Sequence, residues 1–168
     1  MFERIDVKTL DQNVCSLIGD QWMLITAGTP GKCNTMTASW GGLGVLWGTN
    51  VATCYIRPQR YTREFVERED YFTLAFFGEE HRRALALCGA KSGRDIDKIK
   101  ECGFTVAAGA GDAPYFEEAE LVLVCRKVYW QDMDPTHFLD PGTDGKWYPN
   151  QDYHRIYIGE IVECLKKV

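Results

Sequence analysis

A mainly β chain with a few short flanking helices is predicted, and three observations predict it. Apolar, β-branched runs of strand length recur through all 168 residues. Three of them interleave Thr or Tyr, as half-buried antiparallel strands do. Helical periodicity is confined to three short stretches, and neither GxGxxG nor GxxxxGK[ST] occurs. A closed or nearly closed antiparallel barrel accounts for this pattern better than a doubly wound sheet.

The predicted strands are residues 22–27 (WMLITA), 36–40, 51–56, 71–77, 121–130 and 156–162. The run ELVLVCRKVYW at 120–130 is long and suits a bent barrel strand. Gly41, Gly42, Gly44 and Gly48 predict a tight bend or bulge between two strands. Residues 61–69 read as a helix that places Phe65 and Val66 among charges. Residues 79–89 (EEHRRALALCG) gather Ala84, Leu85, Leu87 and Cys88 near one face, with Gly89 as the stop. Residues 95–102 (DIDKIKEC) place Ile96 and Ile99 three apart before Gly103. Residues 131–152 read as a long Asp-, Pro- and Gly-rich loop, and loops of that length are often lids.

An apolar content of 45% over this length predicts one globular domain, residues 1–168, with a real core. The net charge of -5 argues against nucleic acid as a partner, because phosphate backbones call for a broad basic surface. No apolar run approaches the roughly 18 residues of a membrane span, and MFERIDVKTL lacks the apolar core of a signal peptide. The expectation is a cytoplasmic enzyme or carrier. The seven cysteines are odd in number and form no CxxC pair, which supports neither a zinc ribbon nor a disulfide framework. Most should be small buried hydrophobes, with Cys54 set apart by its place in the segment described next. His81, His137 and His154 are too scattered for a metal set.

Residues 34–66 carry the most chemistry. Arg57, Arg60, Tyr61 and Thr62 surround Pro58 in the turn RPQRYT, where two guanidinium groups and the free N–H groups of a helix start make an anion site. The structural alternative is a solvated turn with Thr62 as N-cap. Before it, Thr35, Thr37 and Ser39 share one strand face, and Met36, Ala38 and Trp40 share the other. Small residues there let a flat ring approach the main chain. The alternative is an ordinary strand with a solvated polar face. Lys91 and Ser92, in GAKSGRD, could close over a phosphate; alternatively this is a helix-to-helix turn capped by Asp95. His154, at a strand start, could polarise a ligand or donate a proton near neutral pH, or serve a structural hydrogen bond.

In order along the chain, NTMTASWG, ATCYIRPQRYT, KSGRDIDK and HRIYIGEIVE resemble the flavin reductase-like, FMN-binding split-barrel family, in particular its flavoredoxin-type branch. The resemblance covers nearly the whole chain. It implies an antiparallel split barrel, usually homodimeric, with FMN near the interface. It places Thr37, Ala38, Ser39 and Trp40 along the flavin ring, within a cofactor segment that also holds Thr35 and Met36. Cys54, Tyr55 and Ile56 would flank the ring or ribityl side. Arg57, Arg60, Tyr61 and Thr62 would hold the phosphate with help from Lys91 and Ser92, and His154 would lie near the flavin. The implied activity is an FMN-dependent oxidoreductase with NADH or NADPH as candidate hydride donor. Two other classes stay open: an electron carrier of flavoredoxin type served by a redox-protein partner, and a split barrel for haem or another small molecule. Phe138, His137, Trp147 and Tyr148 of the 131–152 loop could cover the flavin or pack a dimer.

Overall fold

The computed structural model describes residues 1–168. Its main sheet is wholly antiparallel and runs in the order β3 (Lys32–Ala38), β2 (Met23–Thr29), β6 (Tyr71–Phe76), β9 (Leu121–Asp132), β10 (Arg155–Lys167), β5 (Thr49–Ile56), β4 (Gly41–Leu46). A short β1 (Phe2–Ile5) also pairs with β10. The two ends of this order are neighbours in sequence. Only Ser39 and Trp40 link Ala38 of β3 to Gly41 of β4, a link that reaches at most about 11 Å. The sheet must therefore curl until its first and last strands meet, and the result is a split barrel. No helix is long and apolar enough to cross a membrane.

Both faces of the central strands are covered. Met23, Ile25, Leu74, Phe76, Leu121, Leu123 and Cys125 fill the barrel with Phe72, Val66 and Tyr157. Their sequence neighbours Leu24, Ala75, Val122 and Val124 pack on the other side with Phe77, Leu85, Phe104 and Phe116. A strand buried on both faces needs no polar alternation, which is why residues 121–125 read as an unbroken apolar run.

Several elements differ from the sequence expectation. The glycines at 41–44 form strand β4 rather than a bend. The bend lies at Trp47 and Gly48, which have φ of 50° and 74° and join Leu46 to Thr49 as a two-residue hairpin. Gly41 is needed at its place, because a Cβ there would sit 2.7 Å from the Thr53 carbonyl. Gly89 does not stop its helix. It lies inside α3 (Arg82–Ala90), where a Cβ would be 3.3 Å from that of Thr37, so its bareness lets α3 approach β3. β1, β7 (Val106–Ala108) and β8 (Pro114–Phe116) are too short to carry a periodicity. The 131–152 segment is not structureless: β9 continues to Asp132, and α5 (Pro141–Trp147) is capped by Asp140.

Candidate functional site

The site lies where β3, β5 and the start of α2 (Tyr61–Arg68) meet the loop after α3. Pro58 disfavours helical backbone at Arg57, the Arg60 N–H closes the turn on the Arg57 carbonyl at 3.2 Å, and α2 starts at Tyr61. Thr62 is not the N-cap. Arg60 holds that position, and Thr62 sits inside the first turn, 1% exposed, its hydroxyl accepting from Asn34 Nδ2 at 2.7 Å. Asp95 is not a cap either. Asp97 caps α4 (Lys98–Cys102) by accepting the Lys100 N–H at 3.1 Å.

Two adjoining cavities share Met36, Arg57 and Arg60. One, of about 310 Å³, is lined further by Gln59, Tyr61, Thr62, Lys91, Ser92 and Lys98. The other, of about 160 Å³, is lined by Thr37, Ala38, Ser39, Trp40, Tyr55 and His154. Of the sixteen residues expected to hold the cofactor, the fold thus brings all but Thr35, Cys54 and Ile56 to these walls, while His137, Phe138, Trp147 and Tyr148 line neither. Thr35, Cys54 and Ile56 are fully buried. Thr35 is held by Thr26 at 2.8 Å and the Ile25 carbonyl at 3.2 Å, while Cys54 and Ile56 belong to the barrel core. The polar face of β3 is not solvated: Thr37 donates to the Leu85 carbonyl of α3.

The first cavity has an excess of cations. Arg57, Arg60, Lys91 and Lys98 line it and no carboxylate does. Arg57 is engaged elsewhere, pairing with Asp152 at 2.9 Å and donating to the Trp147 carbonyl at 2.9 Å. Arg60 has no acidic partner; it donates to the Gly89 carbonyl at 2.8 Å, and burial and then the Arg57 charge lower its pKa. Lys98 is 4% exposed, and its ammonium donates to the Thr35 and Cys88 carbonyls at 2.8 Å each. Burial lowers its pKa, and the Arg60 charge adds to that. Lys98 is buried and Arg60 half-buried, and neither has a counter-charge, an arrangement that is costly unless an anion is near.

Arg94 ties the loop over this cavity to α2. It pairs with Glu64, donates to the Gln59 carbonyl at 3.3 Å and lies 4.6 Å from the Tyr61 ring centre. The second cavity is aromatic. Trp40 meets His154 at 5.3 Å and Trp147 of α5 edge-on at 5.2 Å, and both tryptophans are 43% exposed. Tyr148 follows at 6% exposure, bonded to His154 Nδ1 at 2.7 Å. Phe138 stacks on Tyr148 at 5.8 Å, while the His137 side chain stays 73% exposed. Burial first, and then Arg57, push the His154 pKa down to about 4. His154 is therefore neutral where the sequence suggested a proton donor near neutral pH.

Sequence reasoning missed Asn34, Gln59 and Lys98. Asn34 and Lys98 stand at the edges of NTMTASWG and KSGRDIDK, so the signal was within those motifs. Lys98 reads as a solvated helix charge until the fold turns it inward.

The curled antiparallel barrel, with a cation-lined cavity beside an aromatic one, is that of a split-barrel protein. The family model described as "Flavin reductase like domain" matches residues 16–167, and the chain belongs to that family. Among solved structures it is similar to an FMN-binding domain of a flavin reductases-like enzyme from Shewanella baltica, with TM-score 0.70, 18% identity, and coverage of 99% of this chain and 77% of that one. It is similar to a flavoredoxin from Methanosarcina acetivorans, with TM-score 0.68, 21% identity, and coverage of 97% and 74%. It is also similar to the NADH:FAD oxidoreductase of Streptomyces globisporus, with TM-score 0.66, 14% identity, and coverage of 88% and 75%. No curated protein matches the chain.

Proposed function

We propose that this chain is an FMN-binding flavoprotein oxidoreductase that takes a hydride from NADH or NADPH. The observation that carries the reading is the acid-free cluster of half-buried Arg60, exposed Lys91 and buried Lys98 beside the first turn of α2. It suits a terminal phosphate, and the adjoining aromatic cavity suits a flat ring. The two volumes, 310 and 160 Å³, together fall in the range of small-molecule sites, roughly 300–1,000 Å³. The names of the similar structures support FMN as the flavin.

In this reading Arg60, Lys98, Lys91, Ser92, Thr62 and the α2 N-terminus hold the phosphate, with Arg57 and Tyr61 at its side. Thr37, Ala38, Ser39 and Met36 offer main chain and apolar contact along the ring, and Trp40, Tyr55 and His154 close its far end. Thr35, Cys54 and Ile56 support these strands from within. Bound FMN would supply two-electron acceptance from a hydride donor and electron delivery to an acceptor. The protein orients the ring and excludes water, and no side chain need act as acid or base.

The visible spectrum of the purified protein and the mass of any released cofactor test this; flavin bands with FMN mass are expected, and a colourless chain that takes up no FMN sinks the reading and revives a haem or other small-molecule barrel. Anaerobic NADH or NADPH should bleach those bands rapidly. The second reading, a flavoredoxin-type carrier reduced by a redox protein, is supported by Trp147 and Tyr148, which already pack against Trp40 and His154 beside the aromatic cavity. Bleaching by dithionite but by neither nucleotide selects it. We place the protein in the cytoplasm as a homodimer joined through exposed apolar side chains such as Val45, Trp47 and Trp130. Sedimentation should then give about twice the 19.1 kDa chain mass.

A further inference from the structure

His154 offers a ligand one polar atom. Its Nδ1 is taken by the Tyr148 hydroxyl at 2.7 Å, with both residues 6% exposed. Its Nε2 has no hydrogen-bond partner in the chain, and the ring borders the cavity of Met36, Trp40 and Tyr55. What Nε2 does there depends on a single proton.

Tyr148 Oη also lies 3.2 Å from Met133 Sδ, so two arrangements satisfy the contacts. The phenol can donate to Nδ1, which leaves the imidazole proton on Nε2. Alternatively Nδ1–H donates to the phenol, the phenol donates to the thioether, and Nε2 is a bare acceptor. A thioether is a weak acceptor and an imidazole nitrogen a good one. The Arg57 guanidinium stands 4.9 Å from the Tyr148 ring centre, and a cation over that ring polarises the phenol toward donation. Phe138 and Tyr153 pack on the same ring at 5.8 and 5.0 Å and hold it in place.

We propose that Tyr148 is a positioning residue: it donates to His154 Nδ1 and fixes the imidazole as the Nε2–H tautomer, a neutral hydrogen-bond donor at the cavity. The charges near His154 are Arg57 and Arg60 from the turn before α2 and Asp152 from the segment before β10. Burial and the two arginines keep the ring uncharged, so the donor needs no proton uptake from solvent. A neutral donor suits a carbonyl or an anionic edge of a planar ligand, and it binds such an edge without adding a formal charge. Its bearing on electron transfer rests on the flavin reading, whereas the hydrogen bond itself can be tested without any flavin.

The test is ¹⁵N NMR of the imidazoles in the full chain, with His154 assigned by loss of its signals in His154→Gln. Nε2 should be pyrrole-type and Nδ1 pyridine-type. Tyr148→Phe should erase that preference and move both resonances toward a tautomer mixture, while Met133→Leu should leave them in place. A pyrrole-type Nδ1 in the unaltered chain overturns the proposal, as does a tautomer shift in Met133→Leu. The wild-type and Met133→Leu spectra decide the matter even if Tyr148→Phe fails to fold. If the tautomer is as stated and the protein binds no FMN, the flavin reading alone has failed.

Discussion

Arg57 and Arg60 look equivalent in the chain, yet their surroundings separate them. Arg57 already has Asp152 and the Trp147 carbonyl, and Arg60 has no carboxylate. Arg60→Ala should therefore weaken FMN binding more than Arg57→Ala. A charge-assisted contact of about 1.5–3 kcal/mol corresponds to roughly 10- to 150-fold in Kd, read by flavin fluorescence titration. Lys98→Met should do the same; equal Kd values for Lys98→Met and the parent chain would remove Lys98 from the site. His154 carries a pH signature. Its folded pKa of about 4 lies below the ordinary value of about 6.5, so the unfolded chain binds the extra proton in between. Stability from this residue is complete above pH ~6.5 and is lost as pH falls toward 4. His154→Gln should flatten the denaturation midpoint across that window relative to the parent.

At the scale of elements, close approaches decide where strands can run. β9 and β10 change register between Ile158 and Gly159, and Gly159 faces the core at that shift. A Cβ there would lie 2.7 Å from Cys125 Cβ and 2.7 Å from the Phe72 ring, both fully buried. Gly159→Ala should cost about 1–3 kcal/mol through overpacking, measured as a lower urea midpoint with an unchanged slope. The loop after α3 obeys the same constraint at Gly93, where a Cβ would collide with the Asn34 amide that holds Thr62. Its glycine belongs to the site as much as Lys91 and Ser92 do. α5 is the other element with a functional place, since it brings Trp147 and then Tyr148 to the aromatic cavity.

At the scale of the whole molecule, the site exists because the barrel closes. Ser39 and Trp40 bridge the two ends of the sheet order, and that bridge lines the aromatic cavity. The walls of the two cavities come from β3, β5, α2, the loop after α3 and the residue just before β10. Occupancy should stabilise the entire fold. FMN at 100 times its Kd should contribute about 2.7 kcal/mol, a rise in Tm of roughly 5–10 °C for a chain of this size, read by differential scanning fluorimetry without added dye. At the same FMN concentration Arg60→Ala should show a much smaller rise. An identical rise in both would put the ligand elsewhere.

By itself the sequence determined the β class, five of the strands close to their positions, and the residue types of an anion turn. Those features are local: alternation, apolar runs and a proline before a helix are printed in consecutive residues. The tertiary structure decided which cations lack partners. It turned Lys98 inward, gave Arg57 to Asp152 and left Arg60 without a carboxylate, and it buried Thr35, Cys54 and Ile56 behind the walls they were expected to line. It also placed α5 (Pro141–Trp147) within residues 131–152 and set Tyr148 on His154. The pairing of Arg57, the burial of Lys98 and the placing of Thr35, Cys54 and Ile56 depend on groups far apart in sequence meeting in a medium of low polarity, where a charge settles according to its neighbours in space.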